Sequence, residues 1–442
     1  MSENHKLLWV FIMVFLASNL FLAFDNSNWN FIDESSYIPA SIALLNGESC
    51  SIANATIPTP TVCNYEHPPL VKVLEAVSLY AFGWVVPKSA YPHPEVLFNS
   101  SSSSSGVLEV ISYPSRFLGD ISSSPLWFLS FRFFQLLMGT LSLVLVYVIA
   151  HRISGNARLA MLSSLLLLIE PLYAFFSRTA YLDVPMVFFA LCAYAVFFSS
   201  FRLGPINEYW LTGALFGLSV LSKEPGIVFL FPLGAYHIVF VAGKGARKRA
   251  TMEIAKVFVG MVAVSVAGLQ IYDTFARTPF PTFLDHIAYI AAYSTSFICK
   301  GTCSRGLGPF AWFAFFVPNS SSISLSGNQV LLWLVFLWIP LGLHSIWKSS
   351  RRGLVSSPDD RLFAFASLFF GSTFVEDALF YAGGRTIWVW YFVAEIPSLA
   401  LGGAYLLTRN VIPNWARVAI VSLLLIGCLL AYAIGPNLLK FD

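Results

Sequence analysis

The stretch LWFLSFRFFQLLMGTLSLVLVYVIA, residues 126–150, is predominantly apolar for 25 residues and contains one charged side chain, Arg132. A helix of about 20 such residues crosses a hydrocarbon core of roughly 30 Å. The chain as a whole has the same character, with 57% hydrophobic and 11% charged residues in a length of 442. A soluble domain has about 25% charged residues. The sequence therefore predicts an integral membrane protein and excludes a soluble domain.

Similar apolar runs recur along the chain, and they are longer than the alternating strands of an outer-membrane barrel. They predict an all-α polytopic membrane protein with about 11 transmembrane helices. The expected spans are residues 7–24, 126–150, 157–174, 183–200, 209–223, 226–243, 253–272, 329–347, 362–380, 386–407 and 415–435.

These spans divide the chain into five regions. The regions are a first transmembrane helix (1–24), a large extracytoplasmic loop (25–125), transmembrane helices 2–7 (126–272), a second extracytoplasmic loop (273–328) and transmembrane helices 8–11 (329–442). The first span lacks a small-residue cleavage site, so we expect it to be retained as a helix.

The orientation follows from the basic residues, which concentrate in the short loops 151–158, 243–249 and 348–361. Positively charged loops stay in the cytoplasm, so the N-terminus is predicted to be cytoplasmic and the long loops to lie outside. The glycosylation sequons at Asn54, Asn99 and Asn319 all fall in loops assigned to the outside. A formal net charge of +3 is too small to indicate binding to nucleic acid.

The cysteines agree with an oxidising outer face. Cys50 and Cys63 share the first outer loop, and Cys299 and Cys303 share the second. We expect two local disulfides, as is common outside the cytoplasm. The alternative of four free thiols stays open.

The stretch FIDESSYIPASIALLNGES, residues 31–49, places two adjacent carboxylates, Asp33 and Glu34, just after the first span. Its small and apolar residues, Tyr37 among them, predict an amphipathic helix at the outer surface, interrupted near its start by Pro39. Acids in a first helical turn can serve only as caps. Because adjacent helical side chains point about 100° apart, the two carboxylates are not expected to share a proton. If both act in a reaction, they do different jobs.

The stretch NYEHPPLVKVLEA, residues 64–76, follows in the same loop. Pro68 and Pro69 predict an extended entry to a second helix that lies on or dips into the outer leaflet. His67 stands at the start of this helix, where a local hydrogen-bonding role is the alternative to a functional one.

Ionisable residues recur at the outer ends of the spans: Arg132, Arg178, Asp183, Lys223, Glu224 and Arg385. Each one alone is explained as an anchor at the membrane surface or as a partner in a charge pair, such as Arg178 with Asp183. Together they predict a cavity that receives an anionic substrate beside a base.

The order of these motifs resembles the GT-C membrane glycosyltransferases, and within them the protein O-mannosyltransferases of prokaryotic and archaeal type. The resemblance rests on DESSYIPASIALLNGE (33–48), HPPLVK (67–72), Arg132, SRTAYLDVP (177–185), GALFGLSVLSK (213–223) and Arg385 followed by WVWYF (388–392). It covers mainly the first 240 or so residues.

The resemblance implies an inverting transferase that moves a sugar, expected to be mannose, from a dolichyl or other polyprenyl phosphate to a hydroxyl on the extracytoplasmic face. It implies Asp33 as the general base and Glu34 as the residue that places the acceptor. The expected donor-phosphate ligands are Arg132, Lys223, Arg385 and Arg178. His67, Glu66, Asp183 and Tyr37 are expected to position the acceptor or the donor.

The acceptor is expected to be Ser or Thr of proteins, with a lipid or polysaccharide as the alternative, as in the aminoarabinose transferases. Eukaryotic O-mannosyltransferases carry a MIR domain in a late lumenal loop, and residues 273–328 are too few to hold one. The oligosaccharyltransferase signature WWDYG is absent from the sequence. A secondary transporter is the rival from another class, but its charges would lie near mid-span rather than at span ends.

The remaining expectations concern cofactors, partners and location. No cofactor is expected to be required, although Asp33 and Glu34 leave a divalent metal open as an alternative. The partners are the polyprenyl phosphate donor, a protein or lipid acceptor and membrane lipids, and a dimer stays open. The expected location is a prokaryotic plasma membrane, with an archaeal source as one option.

Overall fold

The computed structural model describes residues 3–23, 34–47, 63–82, 125–199, 207–241, 246–296, 317–318, 323–324, 329–352, 357–385, 389–408 and 412–438. Asp33, Cys50, Cys299 and Cys303 lie outside these ranges. Within these ranges the fold is all-α apart from one short antiparallel pair, β1 (Val317–Pro318) with β2 (Ile323–Ser324), in which Val317 faces Ser324.

Within the described ranges, sixteen α-helices follow one another along the chain. They are α1 (Glu3–Ala23), α2 (Glu34–Leu45), α3 (Leu70–Ala81), α4 (Pro125–Ser154), α5 (Ala157–Leu168), α6 (Pro171–Phe176), α7 (Asp183–Ser199), α8 (Glu208–Ser222), α9 (Leu230–Tyr236), α10 (Arg247–Phe275), α11 (Phe283–Ser296), α12 (Gln329–Trp333), α13 (Val335–Arg352), α14 (Pro358–Ala382), α15 (Ile396–Thr408) and α16 (Asn414–Leu438). Two 3₁₀ segments, Glu224–Phe229 and Val389–Ala394, and a π-helical turn, His237–Val241, complete the helical segments used below.

Every apolar run expected to span the membrane contains helix. Among the residues that the structure describes, five helical segments are long and apolar enough to cross a membrane by length and composition: Lys6–Ala23, Phe128–Ser154, Arg247–Phe275, Val330–Lys348 and Pro358–Ala382. The other runs form shorter apolar helices, for example where Pro171 starts α6 and divides the predicted span 157–174. Proline lacks the amide hydrogen that continues a helix, which explains this break.

Close packing fixes the position of α8 against α10. A Cβ added at Gly213 of α8 would lie 2.4 Å from the carbonyl oxygen of Val257 in α10. One added at Gly217 would lie 2.8 Å from the carbonyl oxygen of Met261. Small residues let two membrane helices approach this closely. This close contact with α10 therefore fixes the position of α8 and of Lys223, the residue that directly follows it.

The helix predicted over residues 33–46 exists as α2, but it is not a surface helix. Most of its side chains, including Tyr37, Ile38 and Ser41, are buried, and the helix continues through Pro39. The reason is that α2 packs against α3 and its first residue is held by α4. The helix α2 is therefore enclosed mainly by protein rather than exposed along one face.

The second predicted surface helix, α3, has its polar residues inside. Lys72, Glu75 and Ser78 are buried, whereas the side chains of Val77 and Tyr80 are exposed. This polarity suits a helix whose outer side meets lipid and whose inner side meets the polar end of a helical bundle.

Candidate active site

Those predicted functional residues that the structure describes lie at one end of the helical bundle. At this end α1 finishes at Ala23, α4 begins at Pro125, α7 begins at Asp183 and α8 finishes at Ser222. We call it the α2 end, because α2 crosses it.

Glu34, the first residue of α2, forms a bidentate ion pair with Arg132 of α4. Arg132 donates from Nε to Glu34 Oε1 at 2.9 Å and from Nη2 to Oε2 at 2.7 Å. Both residues are buried, with 1% of Arg132 and 0% of Glu34 exposed. Two parallel charge-assisted hydrogen bonds fix the relative geometry of both side chains.

Further hydrogen bonds extend this ion pair into a junction of four segments. Arg132 Nη1 donates to the carbonyl oxygen of Ala23 at 3.1 Å, and the amide of Ala180 donates to Glu34 Oε1 at 2.6 Å. The pair thus joins the end of α1, the start of α2, α4 and the turn before α7. In this geometry the Arg132 guanidinium is directed at Glu34, and the predicted roles of both residues stay predictions.

Arg178 also contacts neighbouring side chains at this end of the bundle. Its Nη1 donates to Asn19 Oδ1 of α1 at 3.3 Å, and its guanidinium lies 5.3 Å from the ring centroid of Phe175. Asp183 is held instead by Lys223, so the pairing of Arg178 with Asp183 that we considered from the sequence was wrong.

The segment before α3 presents His67 to two other parts of the site. His67 Nδ1 lies 3.4 Å from Glu224 Oε1, and its ring meets Tyr37 edge to face at a centroid distance of 5.8 Å. Tyr37 also meets Tyr181 edge to face at 6.5 Å. His67 therefore links α2 to the segment that follows Lys223.

Buried hydrogen-bond donors hold the backbone of this same segment. Lys72 Nζ donates to the carbonyl oxygens of Asn64 and, at 2.7 Å, of His67. Glu66, which is buried, accepts a hydrogen bond from Asn64 Nδ2 at 3.3 Å. His67 and Glu66, for which a function is predicted, thus belong to a segment whose backbone is held by the buried side chain of Lys72.

Sequence reasoning missed the residue that reaches this segment from the second loop. His286 of α11 lies with Nε2 at 2.8 Å from the carbonyl oxygen of Tyr65 and with Nδ1 at 2.7 Å from Asp273 Oδ1. Both His286 and the Asp273 side chain are fully buried. Their spacing of 13 residues across the end of a predicted span gave no local signal of contact with residue 65.

Lys223, Asp183 and Arg385 gather around one aromatic ring, that of Tyr391. Lys223 Nζ donates to Asp183 Oδ1 at 2.6 Å and lies 4.3 Å from the Tyr391 ring centroid. Arg385 Nη2 lies 3.3 Å from the Tyr391 hydroxyl, and its guanidinium lies 5.2 Å from the Phe380 ring centroid. The expected grouping of cations from distant spans is therefore present at the α2 end.

Two buried carboxyl groups beside these cations were not predicted. Asp377 of α14 lies beside Glu395, and both Lys223 and Arg385 act on it electrostatically. Asp377 is 5% exposed and Glu395 is 0% exposed. A carboxylate inside an apolar run is costly in a membrane and is itself a signal of function.

Only some of the residues that concern the expected disulfides and the alternative of a metal lie within the described ranges. Cys63 is disulfide-bonded, whereas Cys50, Cys299 and Cys303 lie outside the described residues. Within the described ranges, no group of three or more His, Cys, Asp or Glu side chains is arranged to hold a metal ion.

Comparison with known proteins begins with a family model. Residues 116–276 match the family described as dolichyl-phosphate-mannose-protein mannosyltransferase. An uncharacterized protein of Aquifex aeolicus is 32% identical over 112 residues, which cover 24% of this chain and 22% of that protein.

Two solved structures share the architecture. The protein O-mannosyltransferase Pmt1-Pmt2 complex of S. cerevisiae, solved with its sugar donor, matches with a TM-score of 0.67 and 10% identity over 99% of this chain and 90% of that chain. ArnT of Cupriavidus metallidurans matches with a TM-score of 0.59 and 15% identity over 100% of this chain and 66% of that chain. ArnT has also been solved bound to undecaprenyl phosphate.

These likenesses confirm the resemblance found in the sequence and the predicted fold class: the chain has the fold of the GT-C membrane glycosyltransferases. The family match includes Arg132, Arg178, Asp183 and Lys223. The chain spans about two thirds of the length of ArnT and less than a quarter of its Aquifex relative.

Proposed function

We propose that this protein is an inverting glycosyltransferase that moves a sugar, mannose in the first instance, from a polyprenyl phosphate to a hydroxyl group. The observation that carries the proposal is the grouping of Lys223, Arg385 and Tyr391 at the end of the bundle where α2 is anchored. The family match and the GT-C fold agree with it.

Contacts connect the acid-bearing helix to the cations. Tyr37 of α2 packs on His67, His67 approaches Glu224, and Glu224 directly follows Lys223. Asp33 lies outside the described residues, but it is the neighbour of Glu34 in the chain, and Glu34 is fixed by Arg132. Helix α2 and the proposed phosphate ligand Lys223 are therefore joined by one connected set of contacts.

The reaction needs one base and a stabilised leaving group. In the proposed step Asp33 takes the proton of the acceptor hydroxyl. At the same time the hydroxyl oxygen of the acceptor forms a bond to the anomeric carbon. The bond from that carbon to the phosphate oxygen breaks, and the polyprenyl phosphate leaves with the electron pair. Attack from the side opposite the phosphate inverts the anomeric centre. A phosphate already leaves as an anion, so fixed cations help it more than a general acid would.

Lys223 and Arg385 are the proposed phosphate ligands. Arginine can bind two phosphate oxygens at once, and lysine acts as a point charge. Asp183 holds the Lys223 ammonium in place, and the Tyr391 ring packs beneath it. We assign Arg132 and Glu34 a positioning role, since their hydrogen bonds join the end of α1, the start of α2, α4 and the turn before α7.

The proposed placement puts the α2 end outside the cytoplasm of a prokaryotic cell and the N-terminus inside. The basic loops at the opposite ends of the helices support this orientation. Activated nucleotide sugars are cytoplasmic, so a membrane-tethered donor would supply the sugar at an outer face.

A protein hydroxyl is the proposed acceptor, because the matching family model is that of protein mannosyltransferases. A lipid or polysaccharide acceptor is the second candidate, because the sequence motifs also resemble those of the aminoarabinose transferases. The two candidates share the donor site and differ only in what approaches the base.

The test is transfer of radiolabelled mannose from dolichyl phosphate mannose by the purified protein in lipid nanodiscs. Protein, peptide and lipid acceptors are offered in parallel, and donors carrying other sugars are run beside mannose. Label on protein or peptide supports a protein mannosyltransferase, and label on lipid moves the acceptor to the second candidate. No transfer from any donor to any acceptor contradicts the proposal.

Arg385→Gln is expected to weaken donor binding about tenfold or more, because a hydrogen bond to a charged group is worth roughly 1.5–3 kcal/mol. The measurement is the Kd for dolichyl phosphate in nanodiscs. The matched control is Arg152→Gln, which alters an exposed arginine at the opposite end of α4. Equal affinities in wild type, variant and control would remove Arg385 from the phosphate site.

A further inference from the structure

Glu75 of α3 is a fully buried carboxyl group that the proposed reaction does not use. Its side chain is 0% exposed and joins three helices. Gln135 of α4 donates from Nε2 to Glu75 Oε1 at 2.7 Å, and Ser41 Oγ of α2 lies 2.6 Å from Glu75 Oε2. Glu75 thus connects the acid-bearing helix α2 to both α3 and α4.

The hydrogen bonds around Ser41 indicate which atom carries the proton. Ser41 Oγ also lies 2.9 Å from the carbonyl oxygen of Tyr37, which can only accept. A serine hydroxyl has one hydrogen. Both contacts are full hydrogen bonds only if Ser41 donates to Tyr37 and the Glu75 carboxyl donates to Ser41. This arrangement requires Glu75 to be protonated.

The charges that face Glu75 favour the same state. The nearest are Glu34 on α2, which repels a carboxylate, and Lys72 one turn away on α3, which attracts it. Lys72 already donates to the carbonyls of Asn64 and His67. On α4 the contact is the neutral amide of Gln135, and Arg132 is paired with Glu34. Glu224, beyond α8, acts on Lys72.

We propose that Glu75 is a positioning residue that works as a neutral acid: it ties α2 to α3 and α4, and its ionisation sets the alkaline limit of the proposed transfer, on which this inference rests. When Glu75 loses its proton, the hydrogen bond to Ser41 must reverse and a second negative charge faces Glu34. Both changes loosen the anchoring of α2, which begins directly after Asp33.

Burial raises the pKa of Glu75 from 4.5 to about 8, although the hydrogen bond donated by Gln135 opposes the rise. Because the folded protein binds this proton more tightly than the unfolded chain does, the contribution of Glu75 to stability is fully present below pH 4.5 and is lost as the pH rises towards about 8. Glu75→Gln, which has the same shape and no proton to lose, should lack this contribution to the pH dependence.

The kinetic test compares wild type and Glu75→Gln in nanodiscs. Wild-type kcat is expected to fall about tenfold between about pH 7 and about pH 9, because about one tenth of a group with a pKa near 8 stays protonated one unit above it. Glu75→Gln should keep most of the activity at neutral pH and lose the alkaline fall. The Kd for donor should change less than about twofold in both proteins, since the phosphate ligands are elsewhere.

Burial also lowers the pKa of Lys72 to about 8, so Lys72 titrates in the same range. The variant separates the two groups because Lys72 is intact in it. An alkaline fall that persists unchanged in Glu75→Gln would overturn the proposal. The control is Glu208→Gln, at the start of α8 on the opposite end of the bundle, which should reproduce the wild-type profile.

An infrared arm tests the protonation state without any activity. The difference spectrum of wild type minus Glu75→Gln should contain the C=O band of a protonated carboxyl at neutral pH, and this band should vanish in strongly alkaline buffer. Its absence at neutral pH would overturn the inference. If no sugar is transferred but the band is present, only the proposed function fails; if sugar is transferred and the band is absent, only the inference fails.

Discussion

Arg132→Met is expected to lower the free energy of unfolding by about 3–5 kcal/mol, because removing one partner of a buried ion pair leaves the other charge uncompensated. Glu34 is fully buried and accepts two of its hydrogen bonds from Arg132. Methionine preserves much of the volume and none of the charge. The measurement is thermal unfolding of the purified protein in detergent, with Arg152→Met as the control for loss of a surface arginine.

The double variant Glu34→Gln, Arg132→Met separates charge from packing. The glutamine oxygen can still accept from the Ala180 amide, which lies 2.6 Å from Glu34 Oε1 in the wild type. We therefore expect the double variant to be more stable than Arg132→Met alone. If Arg132→Met instead unfolds like wild type and loses only donor affinity, then Arg132 is a phosphate ligand, as the sequence suggested, and its pairing with Glu34 is not what stabilises the fold.

The fold could be predicted from the sequence because it depends on local properties. A membrane helix must satisfy its backbone internally and present apolar side chains, so a run such as residues 126–150 is sufficient to identify one. The breaks within the runs are also local, as at Pro171, where the Glu170 side chain caps α6 by accepting from the amide of Tyr173. The sequence could not show which side of α2 would pack against the rest of the protein.

The residue types at the site could be predicted, but their pairing could not. Glu34 and Arg132 are 98 residues apart, and Lys223 and Asp183 are 40 apart, with no spacing rule to join them. Arg178 contacts Asn19 of α1, and no pattern in residues 177–185 indicates this contact. Long-range contacts of this kind depend on how the helices pack, for example on the close seam of α8 with α10.

Three buried carboxyl groups were not predicted from the sequence, and the reason differs between them. Asp377 and Glu395 lie within apolar runs, where a charged group is costly and needs a reason. Glu75 was hidden for the opposite reason, since a glutamate beside a lysine in an amphipathic helix is expected to face water. Its burial is a consequence of the reversed polarity of α3, which exposes Val77 and Tyr80 instead.

Asp33→Asn is expected to lower kcat about 10²-fold to 10⁴-fold, the usual contribution of a general base, while leaving the Kd for donor unchanged. Asparagine has the same shape and cannot take a proton from the acceptor hydroxyl. Since phosphate recognition is assigned to Lys223 and Arg385, the donor should still bind. The measurement is single-turnover transfer from dolichyl phosphate mannose beside a donor-binding isotherm on the same preparation.

The matched control is Asp285→Asn, which makes the same change at an exposed carboxylate in the first turn of α11 and should retain wild-type kcat. A large loss in Asp33→Asn with intact thermal stability and donor affinity would assign the loss to the chemical step. Full turnover in Asp33→Asn would remove Asp33 from the mechanism. The search for the base would then move to the carboxyl groups of Asp377 and Glu395, which lie beside the proposed phosphate ligands.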